Sequence, residues 1–322
     1  MITLEIQTEI QISGHDKNPQ DNARKQSTWV NLLALRRASW RIWSNVRISD
    51  FGFRISAFLL LLLISVSSSV QNLPKPLTPL HAHNDYEHKR PLFDALEHGF
   101  CSVEADIYLV DGQLLIAHQR NQVKPERTIE KLYLEPLRER VKRGNGRVYA
   151  DGPEFTLLID IKTDWKTTYP VLREVLKKYA DILSTFNSDI KQTNAIMAII
   201  TGNRSKSMFA GETRRYAALD GELEDLGSSL PSTTVPWISS NWTRSFSWRG
   251  KDKISDGEKA KLKNIVERAH TEGRRVRFWG APDFPEFWQE LIDDGVDLIN
   301  TDDLEGAQRF LLQAMTGKTN GL

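Results

Sequence analysis

Cys101-Ser-Val-Glu-Ala-Asp-Ile-Tyr-Leu-Val-Asp-Gly-Gln-Leu-Leu-Ile-Ala-His118 is the stretch that decides the fold. Two short apolar runs carry Glu104 and Asp106 inside the first and His118 at the end of the second. Side chains on a strand alternate with period two, so the two acids point to one face and can share one divalent cation. Upstream, Pro79-Leu-His-Ala-His-Asn-Asp-Tyr86 repeats the pattern with His81 and His83; downstream, Leu157-Leu-Ile-Asp-Ile-Lys162 sets Asp160 and Lys162 two apart in an apolar run. Five of the seven histidines fall between positions 81 and 118. Strands that end in acids and imidazoles are the mark of an active site built at one end of a sheet.

From residue 77 onward, short β-like runs alternate with amphipathic helical stretches, the pattern of a parallel sheet with crossover helices. The runs are Leu77 to His81, Ser102 to Tyr108 with Leu114 to His118 as its hairpin extension, Thr156 to Lys162, Ala195 to Thr201, Tyr216 to Leu219, Val235 to Ser239, Arg275 to Trp279, and Val296 to Asn300. Apolar spacings of three and four predict helices over Pro91 to His98, Ile129 to Lys142, Tyr169 to Phe186, Asp256 to Glu272, Pro285 to Asp294 and Asp303 to Ala314. Eight such units make an α/β chain of TIM (β/α)8 barrel size, with its active site at the carboxyl ends of the strands.

The body is electrostatically bland: positions 75–322 hold 35 basic and 37 acidic residues. No basic stripe argues for nucleic acid, so a small anion has to be held by local charges and a metal. The single cysteine, Cys101, excludes an internal disulfide framework and heads a buried run, as an inert core thiol does. Residues 1–74 are expected to be an amino-terminal extension, with residues 75–322 forming the barrel. Ile55 to Val66 is a 12-residue apolar core after Arg47 and Arg54 and before Ser67-Ser-Ser-Val-Gln-Asn72, the order of a secretory signal peptide. Export to the periplasm or the extracellular space is the expectation, with a signal anchor over residues 55–70 as the alternative.

A charge buried in an apolar strand is costly unless paired. Asp160 and Lys162 therefore need partners: a metal for one and a phosphate for the other, or an internal salt bridge among Glu104, Asp106 and Lys162. The order His…Glu-x-Asp…His…Asp-x-Lys resembles the phosphatidylinositol phospholipase C-like phosphodiesterase superfamily, in particular glycerophosphodiester phosphodiesterases and sphingomyelinase D-type phospholipases. Through His-Ala-His-Asn-Asp-Tyr and Ser-Val-Glu-Ala-Asp the chain is most similar to the altered inheritance of mitochondria protein six family. The resemblance implies Glu104, Asp106 and Asp160 as ligands of one Mg²⁺ or Ca²⁺, and His118 as a catalytic histidine. It also implies Lys162 as the lysine that follows the third acid. The other catalytic histidine matches His81 or His83. His81 is taken for it because it ends the apolar run, with His83 and Asn84 as contacts to the phosphate or around the metal. Where glycerophosphodiesterases follow this histidine with Arg-Gly, this chain has Ala82, His83 and Asn84 instead, so a phosphate-binding arginine is missing.

These residue types suit hydrolysis of a phosphodiester, and the resemblance implies a glycerophosphodiester or a (lyso)phospholipid as the substrate. Hard carboxylates hold the cation, and two histidines serve as general acid and base near neutral pH. Trp279, at the end of the seventh run, is an aromatic wall for substrate or a packing residue. The expected partners are a small phosphodiester or phospholipid, with a peripheral membrane contact as an option and no nucleic acid. Two other functions fit parts of the pattern. One is a metal-dependent amidohydrolase or phosphatase-type hydrolase using His-x-His, against which stands the lack of any histidine between His118 and His270. The other is a barrel that binds a headgroup without catalysis.

Overall fold

A computed structural model describes residues 74–317 of the chain. Twelve strands run in order: β1 (Leu77–Ala82), β2 (Phe100–Val110), β3 (Gln113–Ile116), β4 (Phe155–Ile161), β5 (Thr185–Asn187), β6 (Ile190–Gln192), β7 (Ile196–Gly202), β8 (Arg214–Arg215), β9 (Ala218–Gly221), β10 (Trp237–Asn241), β11 (Arg275–Trp279) and β12 (Ile299–Thr301). The helices are α1 (Phe93–Glu97), α2 (Glu135–Arg143), α3 (Trp165–Lys177), α4 (Trp242–Ser245), α5 (Asp256–Thr271), α6 (Pro285–Asp293) and α7 (Leu304–Gly317).

Eight strands pair in parallel in the order β11-β10-β9-β7-β4-β2-β1-β12. A parallel bridge between Arg277 and Leu298 joins the two ends, leaving a nearly closed eight-stranded barrel with helices outside. Each of the eight runs read from the sequence supplies one strand. They were legible because strands covered on both faces read as continuous apolar runs. In β4, Phe155–Ile161, only Asp160 is not fully buried.

β2 runs beyond the barrel and folds back through Asp111 (φ 48°) and Gly112 (φ 75°) into β3, which pairs antiparallel with it. Both central residues have positive φ, as a tight two-residue hairpin turn requires. β3 runs back along β2 from Val110, so His118, two residues past Ile116, returns to the level of Asp106, 3.8 Å from its Oδ2.

Inside the barrel, the strands' amino-terminal halves carry an apolar floor of Leu158, Met197, Ile199, Ala218, Trp237 and Leu298, joined by Phe186 from β5. One step further along the strands the interior turns polar, with Glu104, Thr201, Asp220, Ser239 and Arg277 all buried. The core between barrel and helices is a separate, larger apolar cluster.

One helix differs from the sequence expectation of Tyr169 to Phe186. Asp164 caps the helix earlier by accepting the Lys166 N–H, and α3 covers Trp165–Lys177. Phe186 instead lies in β5, which joins β6 and β8 in a small antiparallel sheet. The apolar core at residues 55–66 lies outside the described residues. Among the described residues, no helix is long and apolar enough to cross a membrane.

Candidate active site

β2 places Glu104 and Asp106 two residues apart, and the parallel register pairs Asp106 directly with Asp160 on β4. One oxygen from each of the three carboxylates lies within 4.8 Å of the other two. Glu104 Oε2, Asp106 Oδ1 and Asp160 Oδ1 are buried and accept no hydrogen bond. Leaving a buried acceptor unsatisfied costs roughly 1–3 kcal/mol, and three in one place call for a shared partner. Hard carboxylate oxygens at this spacing fit a divalent cation such as Mg²⁺ or Ca²⁺. Gly202, at the end of β7 with φ +73°, leaves the room, because a Cβ there would collide with Asp160 Oδ1.

The second oxygens of the two aspartates face Lys162, whose Nζ is 2.8 Å from Asp160 Oδ2 and 3.0 Å from Asp106 Oδ2. Of the salt bridge expected among Glu104, Asp106 and Lys162, the Asp106–Lys162 part is present, with Asp160 in the place expected for Glu104; Oδ1 of each aspartate is left without a hydrogen-bond partner. Burial, and then the Asp160 charge, push the Asp106 carboxyl up to about 7. Burial raises Asp160 as well, against the pull of Lys162. Glu104 goes the other way: burial alone would raise it, but His81 and the Arg277 guanidinium bring it down to about 2.

Arg277, missed in the sequence reading, lies on the floor of this site. It is 3% exposed; its Nη1 donates to Asn300 Oδ1 at 2.9 Å and lies 3.6 Å from Glu104 Oε2, and its Nε donates to Ser239 Oγ at 3.1 Å. Asp220 accepts from Thr201 and Ser239 and faces Arg277 at 3.5 Å. A guanidinium thus enters from β11, although none follows β1. The available signal was an arginine in the middle of an apolar run, the same kind of signal used for Asp160.

The two histidines of the first strand exchange the places expected for them. His81 is 0% exposed, with Nδ1 2.7 Å from Ser102 Oγ, Nε2 3.2 Å from Arg277 Nη1, and its ring edge-on to Trp237 at 5.8 Å. Burial lowers its pKa to about 4, so it is a neutral, fully engaged interior group that does not reach the cavity. The physical reason is that β1 continues to Ala82, so alternation turns His81 inward below the mouth and leaves His83 beyond the strand's end. His83 lines the cavity with its Nδ1 3.0 Å from Asp302 Oδ1 and its Nε2 3.9 Å from Glu104 Oε2. Burial alone would lower His83, but Asp302 holds its pKa above the ordinary value. Asn84 donates to the same Asp302 oxygen at 3.2 Å.

His118 is half exposed on the cavity wall, and Tyr86, also missed from sequence, links it to Asp106 of the carboxylate cluster. The cavity, of about 880 Å³, is lined by His83, Asn84, Glu104, His118, Asp160, Lys162, Arg277 and Trp279 among others. Every site residue expected from sequence except His81 and Asp106 therefore borders it. The tryptophans divide in the same way. Trp237 lies in the barrel floor, Trp242 and Trp248 pack with Phe246, Phe278 and Phe287, and Trp279 is left 37% exposed at the mouth. Cys101 is buried, and burial pushes its thiol up to about 12.

The fold and the site together define a (β/α)8 barrel with a cluster of carboxylates and histidines at the carboxyl ends of its strands. Residues 71–220 match the AIM6-like phosphodiesterase domain. The chain belongs to the altered inheritance of mitochondria protein 6 family. It is 32% identical over 270 residues to the Eremothecium gossypii protein of that name, covering 73% of this chain and 69% of that one. With the Saccharomyces cerevisiae protein it shares 32% identity over 291 residues, 75% of this chain and 73% of the relative. Among solved structures it is similar to a glycerophosphodiester phosphodiesterase from Parabacteroides distasonis, at 15% identity and a TM-score of 0.45 over 75% of this chain and 99% of that one.

Proposed function

We propose that this protein hydrolyses a phosphodiester, of glycerophosphodiester or (lyso)phospholipid type, with one divalent cation, Mg²⁺ or Ca²⁺, held by Glu104, Asp106 and Asp160. The observation that carries the reading is a set of three carboxylates, one oxygen of each within 4.8 Å of the others and each with an oxygen that accepts no hydrogen bond, at a cavity lined by His83, His118 and Lys162. Among the described residues this is the one group of three or more ligand-type side chains within metal reach, and it contains no histidine. That composition disfavours an amidohydrolase-type centre, which draws on imidazole ligands.

A phosphodiester resists attack because its own charge repels nucleophiles. A cation bound by the three carboxylates would supply charge at a phosphoryl oxygen. Lys162 and Arg277 add positive charge at the same cavity. His118 is placed to take the proton of the attacking oxygen, a substrate hydroxyl or a water. His83, whose protonated form Asp302 favours, is placed to return a proton to the leaving alcohol. Asn84 and Trp279 border the space for the substrate's other groups.

The test is turnover of a panel of glycerophosphodiesters and lysophospholipids by the full chain, beside His83→Ala, His118→Ala and His81→Gln. Loss of about 10²-fold or more in kcat is expected for His83→Ala and His118→Ala, with a smaller loss for His81→Gln. Full activity in His83→Ala with loss confined to His81→Gln would return the catalytic role to His81. Failure of every diester would overturn the reading. Export, or anchoring by residues 55–70, and a peripheral membrane contact are part of the proposal; fractionation of the native protein tests them, and a soluble internal location would contradict them.

A further inference from the structure

The Tyr86 hydroxyl makes three polar contacts: 2.6 Å to Asp106 Oδ2, 2.8 Å to Asn84 Oδ1 and 2.9 Å to His118 Nδ1. A phenol has one proton and two lone pairs; the Asn84 amide oxygen only accepts, and so does an Asp106 carboxylate, which leaves His118 Nδ1 as the partner able to donate to the phenol oxygen. The shortest contact is to Asp106 Oδ2 at 2.6 Å, and an ionised Asp106 takes the phenol proton; a protonated Asp106 donates to the phenol oxygen instead, and the phenol proton then goes to Asn84 Oδ1 at 2.8 Å. In both states that proton points away from His118. An oxygen that has given its proton away can meet His118 Nδ1 only as an acceptor, so that nitrogen carries a hydrogen. In a neutral imidazole the other nitrogen, Nε2, is then left with its lone pair.

We infer that Tyr86 is a positioning residue that fixes His118 in the Nδ1–H tautomer, leaving Nε2 as a proton acceptor, through the chain Asp106–Tyr86–His118. The inference rests on the proposed role of His118 and adds the direction in which that histidine works first. Asp106 can hold this chain and a cation together because it uses different oxygens: Oδ2 meets Tyr86 and Lys162, while Oδ1 is the one left free. The tyrosine itself is firmly held. Its side chain is buried, its ring lies nearly parallel to the His118 ring (21°, centroids 6.3 Å apart), and its carbonyl accepts from Arg127 Nη2 at 2.7 Å. The neighbouring Asp85 carboxylate accepts from the Leu92 N–H and from the Tyr133 hydroxyl, pinning the loop that carries Asn84 and Tyr86. The exposed ring of His118 has no other side-chain hydrogen bond among the described residues, so its orientation depends on this one contact.

The test is long-range proton–nitrogen NMR of the full chain labelled with ¹⁵N-histidine, with His118→Gln to assign the signals, in wild type and Tyr86→Phe, with and without Mg²⁺. In wild type, Nε2 of His118 is expected to be the unprotonated, pyridine-like nitrogen and Nδ1 the pyrrole-like one. In Tyr86→Phe this preference is expected to relax toward the reverse tautomer. kcat on whichever diester the enzyme turns over should fall about tenfold, below the 10²-fold or more of a lost acid or base, with KM little changed. A protonated Nε2 in the wild type, or an unchanged tautomer in Tyr86→Phe, would overturn the inference. The spectrum needs no substrate, so it decides the role of Tyr86 even if no diester is hydrolysed, and the wild-type spectrum decides it even if the variant folds poorly.

Discussion

Asp85 sits one residue from the site and is a carboxyl taken wholly out of water. Its Oδ2 accepts from Leu92 N–H at 2.6 Å and from Tyr133 at 2.8 Å, while Oδ1 has no partner. The first bond holds Leu92 at φ 66°, a backbone region that a leucine rarely adopts. Burial raises the Asp85 pKa to about 7 from an ordinary 3.8. Between those two values the folded chain keeps a proton that the unfolded chain has released. Its contribution to stability is therefore complete below about pH 4, declines as pH rises, and is gone above pH 7. Asp85→Asn keeps an acceptor for Leu92 and removes the titration, so its stability relative to wild type should increase between pH 5 and pH 8, by on the order of a few kcal/mol. Parallel denaturation midpoints across that range would contradict the assignment. At this scale the sequence was informative about residue types and less so about depth. Glu104, Asp106, Asp160, Lys162 and His118 could be picked out because polar groups in apolar runs need a reason. The exchange of His81 and His83 could not, because it depends on β1 ending at Ala82 and not a residue earlier.

Two elements do more than complete the barrel. β7 ends at Gly202, whose positive φ and missing side chain leave space for Asp160. Gly202→Ala should weaken Mg²⁺ or Ca²⁺ binding at least tenfold by calorimetric titration, because Asp160 must turn away; unchanged affinity would mean that Asp160 is not a ligand. β5, in the small sheet beside the barrel, sends Phe186 into the floor against Leu158, Met197 and Trp237, with the Arg215 guanidinium 4.9 Å from its ring centre. Phe186→Ala should cost about 3–5 kcal/mol in denaturant unfolding and leave metal affinity unchanged, since floor and site occupy different levels of the interior. A loss below 1 kcal/mol would show that the floor does not depend on it. Strands of two or three residues, as β5, β6 and β8 are, carry too little alternation to be read from sequence. Apolar spacing alone set the start of α3 at Tyr169, four residues late, because the polar cap Asp164 and the first turn carry no part of that spacing.

For the whole molecule, the barrel separates stability from chemistry along its axis. Apolar side chains fill the amino-terminal half and polar ones the carboxyl-terminal half, so the site rests on a packed base rather than on loops. Eight apolar runs made that architecture legible. The charge network centred on Arg277 was not, because it joins β9, β10, β11, β12 and β2 through contacts between residues far apart in sequence. In the proposed function, Glu104, Asp106 and Asp160 form a metal centre for phosphodiester hydrolysis. The most direct test is the initial rate of bis(p-nitrophenyl) phosphate hydrolysis by the full chain as Mg²⁺ or Ca²⁺ is titrated in after chelation, beside Glu104→Gln. A rate that rises to saturation with one of the two ions, and that the variant lacks at every concentration, is the predicted result. Hydrolysis indifferent to chelation, or retained in full by Glu104→Gln, would contradict it.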